Sequence, residues 1–203
     1  MAAVLAVILL TRNRGDVAPS QVVEVETVAR PSSPERPAAV EIPTSSSSSP
    51  TPVIGGEPVP DLVSRRLEIP VKDIARSDLR ASFDEARGGR QHEAIDILAP
   101  RNTPVIAVED GSVEKLFTSK AGGLTIYQFD PTSTYVYYYA HLERYADGIR
   151  EGGRVKRGEV IGYVGTSGNA PKDTPHLHFA IFKLTEARQW WKGAPIDPFE
   201  VLK

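Results

Sequence analysis

The chain has 203 residues, 40% of them hydrophobic, enough for one well-packed domain and not comfortably for two. A formal net charge of -2, without a Lys/Arg cluster interleaved with aromatics, offers no basic face, so nucleic acid is not expected as a partner. Zero cysteines exclude disulfides, a thiolate metal site and a lipidated cysteine, so any bound metal needs other ligands.

Met1 to Leu10 is apolar throughout, but a membrane-spanning helix needs roughly 20 such residues, and this run stops at Thr11-Arg12-Asn13-Arg14. A secretory signal places its positive charge ahead of the apolar stretch. Here the arginines follow it, and no clear small-x-small cleavage site comes after. Residues 1–15 are therefore read as the truncated or misassigned start of an export signal or anchor, a short buried helix or strand being the plainer alternative. Residues 16–60 are read as a disordered Pro/Ser-rich linker. Between Pro31 and Pro60 lie eight prolines and seven serines, including the run Ser45 to Ser49, and no core can form from that composition. Such a segment suits a tether for a head domain at residues 61–203, although a merely tolerated tail has the same composition.

Regular patterning resumes at Leu62. Leu67 to Val71 alternates like a strand, and Arg76 to Glu85 reads as a short helix with Ser77 or Asp78 near its cap. Beyond Arg90 the signals are mostly strands: Ile95 to Ile97, Pro104 to Val108, Ser112 to Phe117, Leu124 to Phe129, Tyr135 to Leu142, Val160 to Val164 and Leu177 to Phe182. Turn signals such as Glu109-Asp110-Gly111, Ala121-Gly122-Gly123 and Ser167-Gly168-Asn169 separate them. The expected fold class is mostly β, an antiparallel sandwich or open barrel with a groove.

All four histidines fall in patterns a metal-dependent hydrolase uses: His92 with Asp96 four residues on, His141 alone, and His176-Leu177-His178. Imidazole and carboxylate are borderline ligands suited to Zn²⁺. On a strand, His176 and His178 share a face roughly 6–7 Å apart, so one can hold a metal while the other reaches the solvent or substrate oxygen. His92 and Asp96 share a face if the chain is extended there. His141 is in phase with Tyr135, Tyr137 and Tyr139, which predicts a groove face lined by tyrosines. Each pattern alone is weak, since lone histidines are usually core or surface residues. Together they leave none unexplained, and an unpaired imidazole beside apolar strands is costly to bury. Two histidines and a carboxylate also describe non-haem iron oxygenases, but that chemistry has no evident job for the two further histidines. The absence of HExxH excludes the helical zinc proteases with a glutamate base.

These residues carry a resemblance. Arg90-Gln91-His92-Glu93-Ala94-Ile95-Asp96, Tyr139-Ala140-His141-Leu142, the stretch from Val155 to Asn169 and Pro175-His176-Leu177-His178-Phe179 resemble the lysostaphin-type (LytM-like) zinc metallopeptidases that cut peptidoglycan peptides. The likeness runs from about Arg90 to the end, including Trp190 to Pro198. It implies antiparallel sheets with a long open groove, Zn²⁺ held by His92, Asp96 and His178, and His141 and His176 as catalytic histidines. It further implies an endopeptidase acting on peptidoglycan stem peptides in the cell envelope, in the periplasm, where the apolar N-terminal stub and the linker suit anchoring to the inner membrane. The protein is read as a monomer. The rival is a non-hydrolytic relative of the same fold that activates a cell-wall amidase, against which the complete ligand set stands.

Three departures from the family pattern are Ala94, where glycine is usual, Thr174, where many members have glycine, and Ala180, where an acidic residue is frequent. Only the first bears on site geometry, because alanine disfavours the positive φ that glycine permits. Gly162 to Asn169 lacks the Gly-Lys-Ser/Thr ending of a phosphate loop and is read as a turn shaping the groove wall. Trp190-Trp191 is read as packing rather than as a sugar platform, and the charged residues between Lys183 and Lys192 as solvated surface.

Overall fold

A computed structural model describes residues 59–203; the N-terminal stub and nearly all of the expected linker lie outside the described residues. The expected mostly β, antiparallel architecture is what the chain adopts. A short helix α1 (Pro60–Ser64) opens with Pro60 in its first turn, where a missing N–H costs nothing. After it come β1 (Ala86–Arg87), β2 (Arg90–Gln91), β3 (Ile95–Leu98), β4 (Pro104–Ile106), β5 (Gly111–Ser119), β6 (Gly123–Phe129), β7 (Tyr135–Tyr145), β8 (Arg154–Val155), β9 (Val160–Val164), β10 (His176–Leu184) and β11 (Gly193–Ile196), and finally helix α2 (Pro198–Leu202). β1 and β2 form their own hairpin; the other nine strands make one antiparallel sheet.

Two strands organise that sheet. β10 pairs β7 along one edge, and along the other it pairs β3 with its first half and β11 with its second. β7 pairs β10 as far as Ala140 and β6 as far as Leu142, and on the β10 side it takes β9 as its neighbour from Leu142 to Tyr145. The core therefore sits on the inner face. Ile95 and Ile97 of β3, Tyr137 and Tyr139 of β7, and Leu177, Phe179 and Ile181 of β10 are buried there with Val105, Ile161, Val201 and Leu202. Each strand alternates, so Asp96, His176 and His178 lie on the opposite face.

Four expectations are corrected. Arg76 to Glu85 is not a helix but a single 3₁₀ turn at Arg76–Asp78, after which Leu79 is already extended. The end of this segment is tied instead to the turn before β3: Ser82 O accepts from the His92 ring, Phe83 O from Glu93 N and Glu85 O from His92 N, long-range bonds that hold residues 82–85 out of a helical path. His92 does not extend from β3 either. It sits in a turn, with Glu93 at φ 54°, and only Ile95 onward is strand. The positive φ thus falls on Glu93 and not on Ala94, whose methyl is fully buried, so the glycine-to-alanine departure costs no strain. Finally, the odd-numbered tyrosines do not line a groove. They face the core, where Tyr139 donates to Gln128 at 2.7 Å and Tyr137 to Glu109, and the tyrosine on the His141 side is Tyr138. A β-bulge shifts the register at Ala140–His141, with His141 at φ 60°, so His141 leaves the phase of the strand that precedes it while Leu142 returns to the core.

Leu67 to Val71 runs alongside β4, sharing Glu68 N–Val108 O, Ile106 N–Pro70 O and Lys72 N–Pro104 O hydrogen bonds, although only the Val71–Val105 bridge is regular. Trp190 packs on Tyr127 at 4.6 Å and on Phe117 at 5.7 Å between ring centroids, as expected of a packing residue, while Trp191 stays half exposed. Lys183, Glu186, Arg188 and Lys192 are exposed.

The segment before the sheet is pinned by Arg65, which reaches Asp61 and Asp130 at 3.0 Å and Glu109 at 3.1 Å. Asp130 and Glu109 are buried, so Arg65→Ala leaves two carboxylates without their cation. The side chain of Arg65 retains 19% exposure, and a loss of about 2–3 kcal/mol is expected, below the 3–5 of a sealed pair. Urea unfolding of the variant against the parent measures it.

Candidate metal centre

Sheet register brings the site together. In the β3–β10 pairing His178 stands directly opposite Asp96, and His176 stands opposite Leu98, two residues along the same face. The turn before β3 lays His92 over this pair. The bulge in β7 turns His141 toward it from the far side, with ring centroids 5.0 Å from His176 and 5.6 Å from His178. All four histidines therefore gather around one carboxylate.

The donor atoms are closely matched. His92 Nε2 lies 3.0 Å from His178 Nδ1, and each lies 3.2 Å from Asp96 Oδ1. Ligands held about 2.0–2.1 Å from a tetrahedral zinc are about 3.3–3.4 Å from one another, so this triangle is the right size for one small divalent ion. It is the one grouping of three such side chains among the described residues that could hold a metal. His176 Nε2 stands back, 3.9 Å from the same carboxylate oxygen.

Backbone carbonyls fix the tautomers. A carbonyl can only accept, so the nitrogen facing it carries the proton. His92 Nδ1 donates to Ser82 O at 3.0 Å, His141 Nδ1 to Ser167 O at 2.9 Å and His176 Nδ1 to Thr174 O at 2.9 Å. Each of these rings keeps its Nε2 lone pair for a metal or a proton, the outer-sphere arrangement that orients imidazole ligands and bases. The acceptor at Thr174 is main chain, which is why a side chain there in place of glycine leaves the contact intact.

Burial sets the charge of these groups. It pushes His141 down to about 4, only partly opposed by its bond to the Ser167 carbonyl. It pushes His178 down as well, against the pull of Asp96. For Asp96 burial acts upward, but the hydrogen bonds from His178 and His92 and their charge outweigh it, and the carboxyl sits well below the ordinary range. The consequence for stability follows from the histidines. In the unfolded chain they bind protons near pH 6.5, while the folded His141 resists until about 4. The metal-free protein is therefore expected to be most stable above pH 6.5 and to lose stability as pH falls from there toward 4. Thermal unfolding in excess chelator at pH 7.5 and pH 5 checks this, the lower melting temperature being expected at pH 5.

The groups open into a cleft of about 530 Å³ whose walls include His92, His141, His178, Tyr138, Gly122 and Asn169. One wall is made by two turns in tight contact. A Cβ on Gly123 would come within 2.2 Å of Ser167 Oγ, and one on Gly168 within 2.3 Å of Ala121 O, so both positions need glycine for space as well as for their positive φ. Ser167 links the turns by donating to Leu142 O at 2.6 Å and accepting from Leu124 N at 2.9 Å, while its carbonyl orients His141. Of the stretch Gly162 to Asn169, expected as a turn in the groove wall, Gly162 to Val164 is instead the end of β9, and Asn169 lines the cleft.

Arg87, which also lines the cleft, was not singled out from the sequence. It bonds Asp96 Oδ2 at 2.8 Å from the β1–β2 hairpin. The Gly88-Gly89 pair that closes the hairpin is a readable turn signal, but no local pattern marks an arginine as a partner of a carboxylate nine residues on.

The family model described as "Peptidase family M23" matches residues 90–198, more than half of the chain, with Asp96 and all four histidines inside it. The chain belongs to peptidase family M23. Among its curated relatives, the L-Ala--D-Glu endopeptidase of Bacillus subtilis is 38% identical over 132 residues, covering 61% of this chain and 39% of the relative. The peptidoglycan DD-endopeptidase ShyC of Vibrio cholerae is 37% identical over 90 residues, 44% of this chain and 20% of the relative. The chain thus spans well under half the length of these relatives. Among solved structures, the catalytic domain of lysostaphin from Staphylococcus simulans superposes with a TM-score of 0.52 at 26% identity, covering 61% of this chain and 89% of that one. Csd3 of Helicobacter pylori gives 0.52 at 27% identity, covering 68% and 33%. As an M23 member the chain gathers every histidine it has around Asp96, with His92, His141 and His178 lining the cleft.

Proposed function

We propose that this M23 protein is a zinc-dependent endopeptidase that hydrolyses peptide crosslinks of bacterial peptidoglycan. His92, Asp96 and His178 hold the metal, and His141 and His176 are the catalytic residues. The observation that carries the reading is the triangle of donor atoms 3.0–3.2 Å apart with two further imidazoles beside it. Family membership and the printed names of the relatives support the reaction class. A Zn²⁺ bound there supplies Lewis acidity, polarising a carbonyl and bringing the pKa of a water near neutrality.

The chain's own residues do the rest. His141 and His176, each tethered through Nδ1–H, present Nε2 to accept the proton of the attacking water and to return it to the leaving amine. Burial keeps His141 uncharged at neutral pH, as a base requires. Tyr138 and the Gly122 and Asn169 walls line the space for the peptide. The substrate places the activity outside the cytoplasm, in the envelope, with residues 61–203 as the peptidase domain and residues 1–60 as its lead-in and tether. Among the described residues no helix is long and apolar enough to cross a membrane.

Digestion of purified sacculi by the full chain, with and without a chelator, tests the proposal when the new termini are read by mass spectrometry. Chelator-sensitive release of peptide ends is expected, at the D-alanyl-diaminopimelate crosslink rather than at a glycine bridge. No cutting, but faster release by an added amidase, is the result of an activator and would overturn the reading.

A further inference from the structure

The two oxygens of Asp96 face different partners. Oδ1 looks into the histidine cluster, 3.2 Å from both His92 and His178, whereas Oδ2 takes the Arg87 guanidinium at 2.8 Å. Arg87 is itself held. Its other arm reaches Glu85 at 2.9 Å, and its backbone pairs with Arg90 across the two-residue loop Gly88-Gly89, both at positive φ as a tight β-hairpin requires. We propose that Arg87 is a positioning residue that occupies Oδ2 and so holds Asp96 as a one-oxygen ligand, keeping the coordination at three protein donors with a place left for solvent. This rests on the reading that Asp96, His92 and His178 bind the metal.

The physical argument weighs orientation against repulsion. A cation beside a metal site weakens metal binding by charge, but the Arg87 side chain is 46% exposed and already paired with Glu85, so that repulsion is screened and neutralised. Orientation is not screened. Without Arg87 the carboxylate is free to rotate or to offer both oxygens, and loss of such an outer partner typically costs about 10–100-fold in metal affinity.

The test uses the full-length chain and its Arg87→Ala and Arg87→Lys variants, with Zn²⁺ affinity read by chelator competition and coordination read from the visible absorption of the Co²⁺-loaded protein. Arg87→Ala is expected to bind Zn²⁺ at least about 10-fold more weakly, with weaker Co²⁺ absorption as coordination rises above four, while its melting temperature in excess chelator stays close to the parent's. Arg87→Lys, which reaches one carboxylate but lacks the fork, should recover part of the affinity. If the parent binds Zn²⁺ and Arg87→Ala binds it within twofold with an unchanged Co²⁺ spectrum, the positioning role is overturned and the metal site stands. If the parent binds no Zn²⁺, both fall. Should Arg87→Ala not fold, Arg87→Met, which keeps the length of the side chain but has no donor for Oδ2, takes its place, and unaltered affinity and spectrum in that variant overturn it equally.

Discussion

Replacing His178 by alanine is expected to abolish stoichiometric zinc binding and peptide hydrolysis together. His178 Nδ1 is one corner of the donor triangle, and no other imidazole is placed to fill the vacancy, since His176 Nε2 is 3.9 Å from Asp96 Oδ1 and the Nδ1 of His176 is committed to the Thr174 carbonyl. Two remaining donors make a weak site for an ion that is otherwise held by three or four. Elemental analysis of the dialysed variant should find less than about a tenth of an ion per chain. Asp96→Asn should behave alike, because it removes the charge that makes Oδ1 a ligand. The fold is expected to survive both changes, as the inner face of β10 with Leu177, Phe179 and Ile181 is untouched. Retention of one zinc per chain in His178→Ala would refute its assignment.

Replacing His141 should divide the two properties instead. It lies outside the donor triangle, so zinc content is expected to stay at the parent's level while turnover falls by about 10²–10⁴, the range associated with a positioned general acid or base. The choice of substitute matters, because His141 is at φ 60°. Alanine there costs roughly 1–2 kcal/mol in the left-handed region, whereas asparagine tolerates it. His141→Asn therefore separates loss of the imidazole from loss of the bulge, and both variants should be compared by zinc content, melting temperature and hydrolysis of purified muropeptides. Hydrolysis at the parent rate by either would show that the imidazole plays no part in the chemistry.

Much of the architecture was legible because burial imposes alternation on a half-buried strand. β9 and the cores of β5, β6, β7 and β10 announce themselves by branched and aromatic residues between turn signals. The strands β1, β2, β8 and β11 do not, since two residues carry no period and β11 is Gly-Ala-Pro-Ile, with one branched residue beside a glycine and a proline. Nor could the fate of Arg76 to Glu85 be read locally, because Ser82, Phe83 and Glu85 are tied through their carbonyls to His92 and Glu93. The site was legible as a set of residue types but not as an arrangement. The opposition of Asp96 and His178 depends on pairing between strands more than 80 residues apart, and the tethering of three histidines depends on main-chain oxygens of Ser82, Ser167 and Thr174, which have no signature in side-chain identity.

The bulge in β7 has a consequence for anyone counting parity along such a chain. One strand is in effect spliced from two pleats: Tyr135, Tyr137 and Tyr139 are interior before the seam and Leu142 just after it, and a second register shift at Leu142–Arg144 leaves Arg144 exposed and Tyr145 against the core. Residue identity at His141 could change and leave this splice in place, whereas an unbroken pleat through the same residues would turn the imidazole inward and expel Leu142. The seam between the two pleats, rather than any one side chain, is what lets a core strand deliver an imidazole to the cleft.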